Sequence, residues 1–231
     1  MSLYTIGDLH LSLNTEKPMD VFGGAWVGYV EKIEAGFSEI TDDDTVVLCG
    51  DISWGMSLDE SEKDFLFISH LPGKKIILKG NHDYWWTTAA KMKRFFAEKE
   101  ICNIEILHNN CFFYENMAIC GTRGWFFEEE YGNERDEKVY RREVMRLETS
   151  LKAAKAHSIE KILVFLHYPP IFQGYECPDI LHLLDNYNVA LCCYGHLHGF
   201  SHRRAIQGKV HHTEFQLVSA DYLNFKPIKI I

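Results

Sequence analysis

A chain of 231 residues, 46% hydrophobic and 25% charged, has the size and composition of a globular protein, and we predict a single domain over residues 1–231. No run of eighteen apolar residues occurs and the first residues lack a basic start before a long apolar stretch, so we expect neither a membrane span nor a signal peptide. The net charge of −9 (24 Lys and Arg, 33 Asp and Glu) argues against nucleic acid as a partner, because such binding depends on neutralising phosphates.

The seven cysteines indicate the compartment. Their number is odd, no Cys-x-x-Cys is present, and most of them lie inside apolar runs. We therefore interpret each as a buried free thiol and expect a cytoplasmic protein, since disulfides are rare in reducing compartments.

The first half of the chain alternates short β-like runs with longer amphipathic segments, which is typical of an α/β fold. The predicted strands are Tyr4–Ile6, Thr45–Cys49, Lys75–Leu78 and Ile104–Leu107. The predicted helices are Val27–Ile40, Glu60–His70 and Thr88–Lys99.

The second half continues this alternation after a β-like hairpin region at Cys111–Tyr114 and Met117–Cys120. An acidic, aromatic insert without a clear period follows at Trp125–Asp136. The remaining predicted elements are a helix at Glu137–His157, a strand at Ile162–Leu166, a helix at Pro178–Asn186, a strand at Val189–Tyr194 and closing antiparallel strands in the tail Val210–Ile231.

Side chains that can bind metals follow five of the predicted strands. In chain order they are Asp8 and His10, Asp51, Asn81 with His82 and Asp83, His167, and His196 with His198. Sites in open α/β sheets form at the carboxyl ends of the strands, so we expect these side chains to meet there. In an extended segment, two residues spaced two apart point the same way, which would place Asp8 beside His10 and His196 beside His198.

Imidazole, carboxylate and amide ligands without thiolate suit two divalent transition-metal ions (Mn, Fe, Zn, Co or Ni) rather than a structural zinc cluster. Each motif alone is weak, because a histidine beside a strand is more often a surface or core residue, and Gly-Asp after a strand is mostly a turn. The occurrence of all five motifs in order, each at a strand end, favours the metal site.

These residues resemble the calcineurin-like metallophosphoesterase superfamily, through Asp8-x-His10, Gly50-Asp51, Gly80-Asn81-His82-Asp83, His167 and Gly195-His196-x-His198. The resemblance implies a four-layer α/β/β/α sandwich of two mixed β-sheets with two metals. One metal would be held by Asp8, His10, Asp51 and His198. The other would be held by Asp51, Asn81, His167 and His196, with Asp51 bridging the two ions.

The resemblance also implies hydrolysis of a small phosphomonoester or phosphodiester by a hydroxide that the two metals activate. His82 would lie beside the metals and assist the leaving group, and Asp83 would orient it. The stretch Gly50-Asp51-Ile52-Ser53-Trp54-Gly55 lacks the Arg of protein Ser/Thr phosphatases, and Trp54 stands where many small-molecule phosphodiesterases have an acid. The match is closest to small bacterial-type phosphoesterases.

Three further residues have open interpretations. Arg123 follows a strand and would either clamp a phosphate or form an ordinary salt bridge. Trp85 and Trp86 would either form a stacking wall for an aromatic group or pack against the sheet, and packing is favoured.

Two other functions compete with the phosphoesterase. A nuclease-type phosphodiesterase of the same superfamily would need a basic track, and the net charge of −9 with a short cluster such as Arg203-Arg204 argues against one. A non-catalytic scaffold of the same fold would have lost ligands, whereas every matched position here holds a competent side chain.

Overall fold

The computed structural model describes residues 1–126, 133–157, 159 and 161–231. They form two compact units, of which the first comprises Met1–Ile106 with Val218–Ile231 and the second Leu107–Leu217. Each unit is built on one large β-sheet with helices packed against it, which confirms the predicted α/β class with two mixed sheets. The prediction of one domain over residues 1–231 stays a prediction.

In chain order, the strands are β1 (Leu3–Ile6), β2 (Thr45–Leu48), β3 (Lys74–Ile77), β4 (Ile104–Ile106), β5 (Phe112–Tyr114), β6 (Met117–Thr122), β7 (Lys161–Leu166), β8 (Ile171–Phe172), β9 (Tyr175–Glu176), β10 (Val189–Tyr194), β11 (Gly208–Val210), β12 (Thr213–Leu217) and β13 (Ile228–Lys229). The α-helices are α1 (Tyr29–Gly36), α2 (Glu62–His70), α3 (Ala89–Glu98), α4 (Glu134–Ala156) and α5 (Pro178–Asn186). Short 3-10 helices lie at Met19–Phe22, Gly24–Trp26 and Gly199–Arg204.

The sheet of the first unit has the order β13-β1-β2-β3-β4. Strands β1 to β4 are parallel, with Leu3 opposite Thr45 and Thr45 opposite Lys74, and β13 is antiparallel at the edge. The carboxyl ends of β1, β2 and β3 therefore lie side by side. The strands are apolar because α1, α2 and α3 cover them, with Ile33, Phe65 and Phe95 in the same core.

The sheet of the second unit has the order β11-β12-β10-β7-β6-β5. Its four central strands are parallel and its two edge strands antiparallel. Every residue of β6 is buried, as are the last five of β7, in keeping with strands covered on both faces. Leu147 and Leu151 of α4 and Ile180 of α5 join this core.

The predicted strands and helices exist, and most of their ends shift by one to three residues. Helix α1 is shorter than predicted, because it begins after Gly28, whose φ is 62°, and ends at Gly36, where a Cβ would lie 2.1 Å from the carbonyl oxygen of Phe225. Helix α4 begins inside the predicted insert, since the side chain of Asn133 caps it by accepting from Arg135 N and Asp136 N. Residues 127–132 of that insert lie outside the described residues.

The predicted antiparallel closure is correct for β13 and wrong in part for β12. Strand β12 is antiparallel to β11 but parallel to β10. The reason is that β11 and β12 form a hairpin in which β12, rather than β11, pairs with β10. Among the described residues, no helix is long and apolar enough to cross a membrane.

Candidate functional site

Asp8 and His10 lie in the loop after β1, where the backbone is left-handed rather than extended. Their φ values are 61° and 47°, so the expectation of an extended Asp8-x-His10 segment was wrong. Their backbone N–H groups donate to the carbonyl oxygens of Gly50 and Asp51 at 2.9 Å each, which ties this loop to the one after β2. Both side chains are buried, and their ligand atoms nevertheless lie within 4.8 Å of each other.

Asp51 follows β2 and also has a left-handed backbone, with φ 48°. Its Oδ1 accepts the backbone N–H of His82 at 2.7 Å, and its Oδ2 lies 3.7 Å from His10 Nε2. A Cβ at Gly80 would lie 2.1 Å from both the backbone N and Oδ1 of Asp51. Position 80 therefore requires glycine, because any side chain there would displace Asp51.

Left-handed backbone at a non-glycine residue costs roughly 1–3 kcal/mol and is concentrated at functional sites. Among the predicted ligands, Asp8, His10 and Asp51 in the first unit and His196 in the second, with φ 70°, adopt this conformation, as do seven other described residues that are not predicted ligands. Four of the seven predicted ligands thus carry a backbone conformation that folding alone does not favour.

His82 is half-buried, and aromatic side chains surround it within the first unit. The indole of Trp54 lies 4.4 Å from its imidazole between ring centroids, and the hydroxyl of Tyr84 lies 3.4 Å from Nδ1. Trp54 also stacks on His10 at 5.0 Å with an interplanar angle of 24°. Trp54 therefore places an aromatic ring, rather than a carboxylate, beside both His10 and His82.

Asp83 does not contact His82 in the way that the sequence predicted. Its buried carboxylate accepts four hydrogen bonds, none of them from the imidazole of His82. The donors are Ile52 N at 2.8 Å, Ser53 N at 3.3 Å, Trp85 Nε1 at 3.0 Å and Gly80 N at 2.7 Å. Burial raises the pKa of Asp83, while these donors act in the opposite direction. Asp83 joins the loop that carries Asp51 to the loop that carries Asn81.

Trp85 packs in the core, as favoured from the sequence. It is 2% exposed and meets Phe65 edge to face at 4.8 Å. Trp86 is half-buried, 5.3 Å from Trp85. Tyr84, for which no role was predicted from the sequence, is 50% exposed and is the aromatic residue of this run that contacts His82. Its place directly after Gly80-Asn81-His82-Asp83 was the signal that could have identified it.

In the second unit, His167 follows β7 and His196 follows β10, and these strands are parallel neighbours. His167 Nε2 and His196 Nδ1 lie 3.2 Å apart, so the pair could hold a metal ion. The ring of Tyr168 supports His196 at 4.2 Å. His198 is half-buried and has extended backbone, with φ −119° and ψ 153°, whereas His196 is left-handed, so the expectation of an extended His196-x-His198 segment was also wrong.

Arg123 follows β6 and forms the salt bridge that was one of its two predicted roles. Its guanidinium lies 3.2 Å from the buried carboxylate of Glu143 and 4.5 Å from the Trp125 ring. Thr122 and Arg146 bind the same carboxylate. The Nε of Arg123 is buried and has no hydrogen-bond partner among the described residues. A phosphate contact by Arg123 stays a prediction.

The seven cysteines are all free, and five are buried. Cys111 is half-buried and Cys102 is exposed, so the prediction of a buried thiol was wrong for Cys102, which lies in the turn before β4 rather than in an apolar run.

Comparisons with known proteins agree with this geometry. Two solved structures share the fold, each at 14% sequence identity and a TM-score of 0.55. One is a phosphopantetheinyl hydrolase from Mycobacterium tuberculosis, with 100% of this chain and 95% of that chain covered. The other is the protein TT1561 of Thermus thermophilus, with 85% and 81% covered. No curated protein matches the chain.

A family model described as calcineurin-like phosphoesterase matches residues 1–200. Members of this family normally bind a pair of divalent metal ions, and the Asp and His side chains of the first unit and the His side chains of the second could serve as ligands. The chain therefore belongs to the calcineurin-like phosphoesterase family and is a hydrolase of phosphoester bonds.

Proposed function

We propose that this protein hydrolyses a small phosphomonoester or phosphodiester with the aid of two divalent transition-metal ions. Asp8, His10, Asp51 and His198 would bind one ion, and Asp51, Asn81, His167 and His196 the other. The observation that carries the proposal is the clustering of ligands at strand ends: Asp8 with His10 within 4.8 Å in the first unit, and His167 with His196 at 3.2 Å in the second.

The donor set fits the proposed ions. Imidazole nitrogens and carboxylate and amide oxygens, without thiolate, suit Mn, Fe, Zn, Co or Ni. When bound, such a pair lowers the pKa of a water molecule and stabilises charge on the attacking and leaving oxygens. The backbone hydrogen bonds from Asp8 N to Gly50 O and from His10 N to Asp51 O join the two loops that carry these ligands, which supports a binding role.

The remaining steps belong to the chain's own residues. The backbone N–H of His82 donates to Asp51 and holds it in place. One hydrogen bond therefore links the proposed bridging ligand to the residue proposed as the acid. His82 would donate a proton to the leaving oxygen through Nε2, because Nδ1 faces the hydroxyl of Tyr84. Asp83 would act by positioning, since its carboxylate joins the loops that carry Asp51 and Asn81.

We also propose that the protein acts in the cytoplasm on a small substrate rather than on nucleic acid. Seven free cysteines favour a reducing compartment, and the net charge of −9 opposes binding to a polyanion.

Metal analysis and kinetics on one preparation test the proposal. We expect about two ions per chain after Mn²⁺ loading, and hydrolysis of p-nitrophenyl phosphate or bis(p-nitrophenyl) phosphate that stops with a chelator. Asp51→Asn should lower both metal content and rate, because it removes a charge that both ions would share. The exposed Asp59 provides the matched control Asp59→Asn, which should keep both.

Two results would contradict the proposal. Metal binding without hydrolysis of any ester would indicate a scaffold of the same fold. Hydrolysis at equal rates with and without chelator would rule out a metal-activated nucleophile.

A further inference from the structure

We infer that the leaving group of the substrate carries a planar ring close to the ester oxygen, and that Tyr84 is the surface on which this ring stacks. The inference rests on the proposed function in one respect, the assignment of His82 to the leaving group. The residues that carry it all lie in the first unit.

Tyr84 is held beside His82 and faces solvent. Its hydroxyl lies 3.4 Å from His82 Nδ1, the two ring centroids are 6.0 Å apart, and the interplanar angle is 77°. The residue is nevertheless 50% exposed. One end of the side chain is thus fixed at the proposed acid, while a large part of the ring is available for contact.

Packing does not account for this exposed ring. The next residue, Trp85, is 2% exposed, and its indole N–H donates to Asp83, so it has the structural role. Trp54, the other aromatic residue at His82, is engaged in contacts with other residues of the protein. It stacks on His10, donates to the sulfur of Met19 at 3.1 Å, and has the ammonium of Lys17 at 4.6 Å from its ring.

The position of Tyr84 determines which part of a substrate can reach it. A leaving oxygen protonated by His82 must lie within about 2.6–3.2 Å of the donating nitrogen. The leaving oxygen would lie at Nε2 and the hydroxyl of Tyr84 lies at Nδ1, with 6.0 Å between the two ring centres, so a substituent must have the size of a ring to extend from that oxygen to the phenol ring. Phosphate itself, bound at the metals, would not need this surface.

A planar ring is the group that gains most from such a surface. Aromatic pairs in offset or edge-to-face geometry are stabilised beyond the burial of area, which corresponds to roughly a 2- to 13-fold gain in affinity over a saturated ring of the same size. The preference for a planar over a saturated ring is therefore the specific signature of Tyr84.

Binding by phosphonates tests the inference without requiring turnover. Mn²⁺-loaded protein is titrated calorimetrically with 2-phenylethylphosphonate, 2-cyclohexylethylphosphonate and propylphosphonate, in which a methylene replaces the ester oxygen. We expect the phenyl compound to bind roughly 2- to 13-fold more tightly than the cyclohexyl compound. Tyr84→Ala should bring this ratio close to one, and Tyr84→Phe should preserve it because the ring remains.

Phe113→Ala is the matched control, since Phe113 is 46% exposed on β5 of the second unit. It should leave the ratio unchanged. Equal or tighter binding of the cyclohexyl compound by the parent would overturn the inference, as would a phenyl preference that survives in Tyr84→Ala or a failure of all three phosphonates to bind.

The hydrolysis of benzyl and cyclohexylmethyl phosphates, and of their methyl diesters, separates this inference from the proposed function. Hydrolysis of both members of a pair with equal kcat/KM and equal phosphonate affinity would refute the ring surface alone. A ring preference in binding, without hydrolysis of any ester, would refute the proposed function and leave the ring surface supported.

Discussion

Gly80→Ala is expected to damage the site by steric displacement of Asp51 alone. A Cβ at position 80 would lie 2.1 Å from the backbone N and from Oδ1 of Asp51, and 2.8 Å from its Cγ. Gly80 does not have a positive φ, so alanine meets no backbone strain there. The whole effect must therefore come from the contact with Asp51.

The size of the displacement follows from these distances. Cβ atoms in proteins essentially never lie closer than 3.0 Å to another heavy atom. To reach that distance, the Cβ and the Asp51 backbone N must move apart by about 0.9 Å. Overpacking of this kind costs about 1–3 kcal/mol, and a misplacement of about 1 Å in a catalytic site can cost about 10²-fold in rate. We expect kcat/KM to fall by roughly that factor, together with weaker Mn²⁺ binding.

Gly24→Ala provides the control. Gly24 is exposed, has no positive φ, and a Cβ there would meet nothing within 4 Å. It should match the parent or gain about 0.4–1 kcal/mol of stability from a less flexible unfolded chain. The parent, Gly80→Ala and Gly24→Ala are compared in stability by urea unfolding, in metal affinity by Mn²⁺ titration and in kcat/KM by steady-state kinetics. Parent-like metal affinity and kcat/KM in Gly80→Ala would refute the reasoning, because Asp51 would then be dispensable or free to move.

Three further predictions concern the acid, its neighbour and a buried lysine. His82→Ala should keep the parent's metal content while kcat falls about 10²–10⁴-fold, less for p-nitrophenyl than for alkyl leaving groups; loss of the metals would make His82 a ligand instead. Asp83→Asn should lower the free energy of unfolding by about 1–3 kcal/mol, because its amide turns a donor towards an N–H group, and an unchanged urea midpoint would contradict this. Burial lowers the pKa of Lys75 from 10.5 to about 8, so the unfolded chain binds more protons between those values and stability should rise with pH there. The difference in unfolding free energy between the parent and Lys75→Met should follow this rise, by at most about 1.4 kcal/mol per pH unit, whereas parallel pH curves would refute it.

The alternation of apolar runs with amphipathic segments was sufficient to predict the α/β class and the existence of the main strands and helices. A buried strand such as β7 appears as a continuous apolar run, and a helix such as α3 repeats its apolar residues every three or four positions. The candidate ligands were also readable, because each follows a predicted strand directly. These features are local, so the order of residues is enough to reveal them.

The tertiary structure decided which groups support those ligands. The donors to the Asp83 carboxylate include N–H groups about thirty positions away, at Ile52 and Ser53, and the contact of Trp54 with His82 spans a similar stretch. Such partners are brought together by the parallel register of β2 and β3, where Thr45 lies opposite Lys74. No periodicity in the sequence records that register. The left-handed backbone at Asp8, His10 and Asp51 has the same cause, since hydrogen bonds between neighbouring loops, rather than local propensity, hold these residues in a conformation that they otherwise avoid.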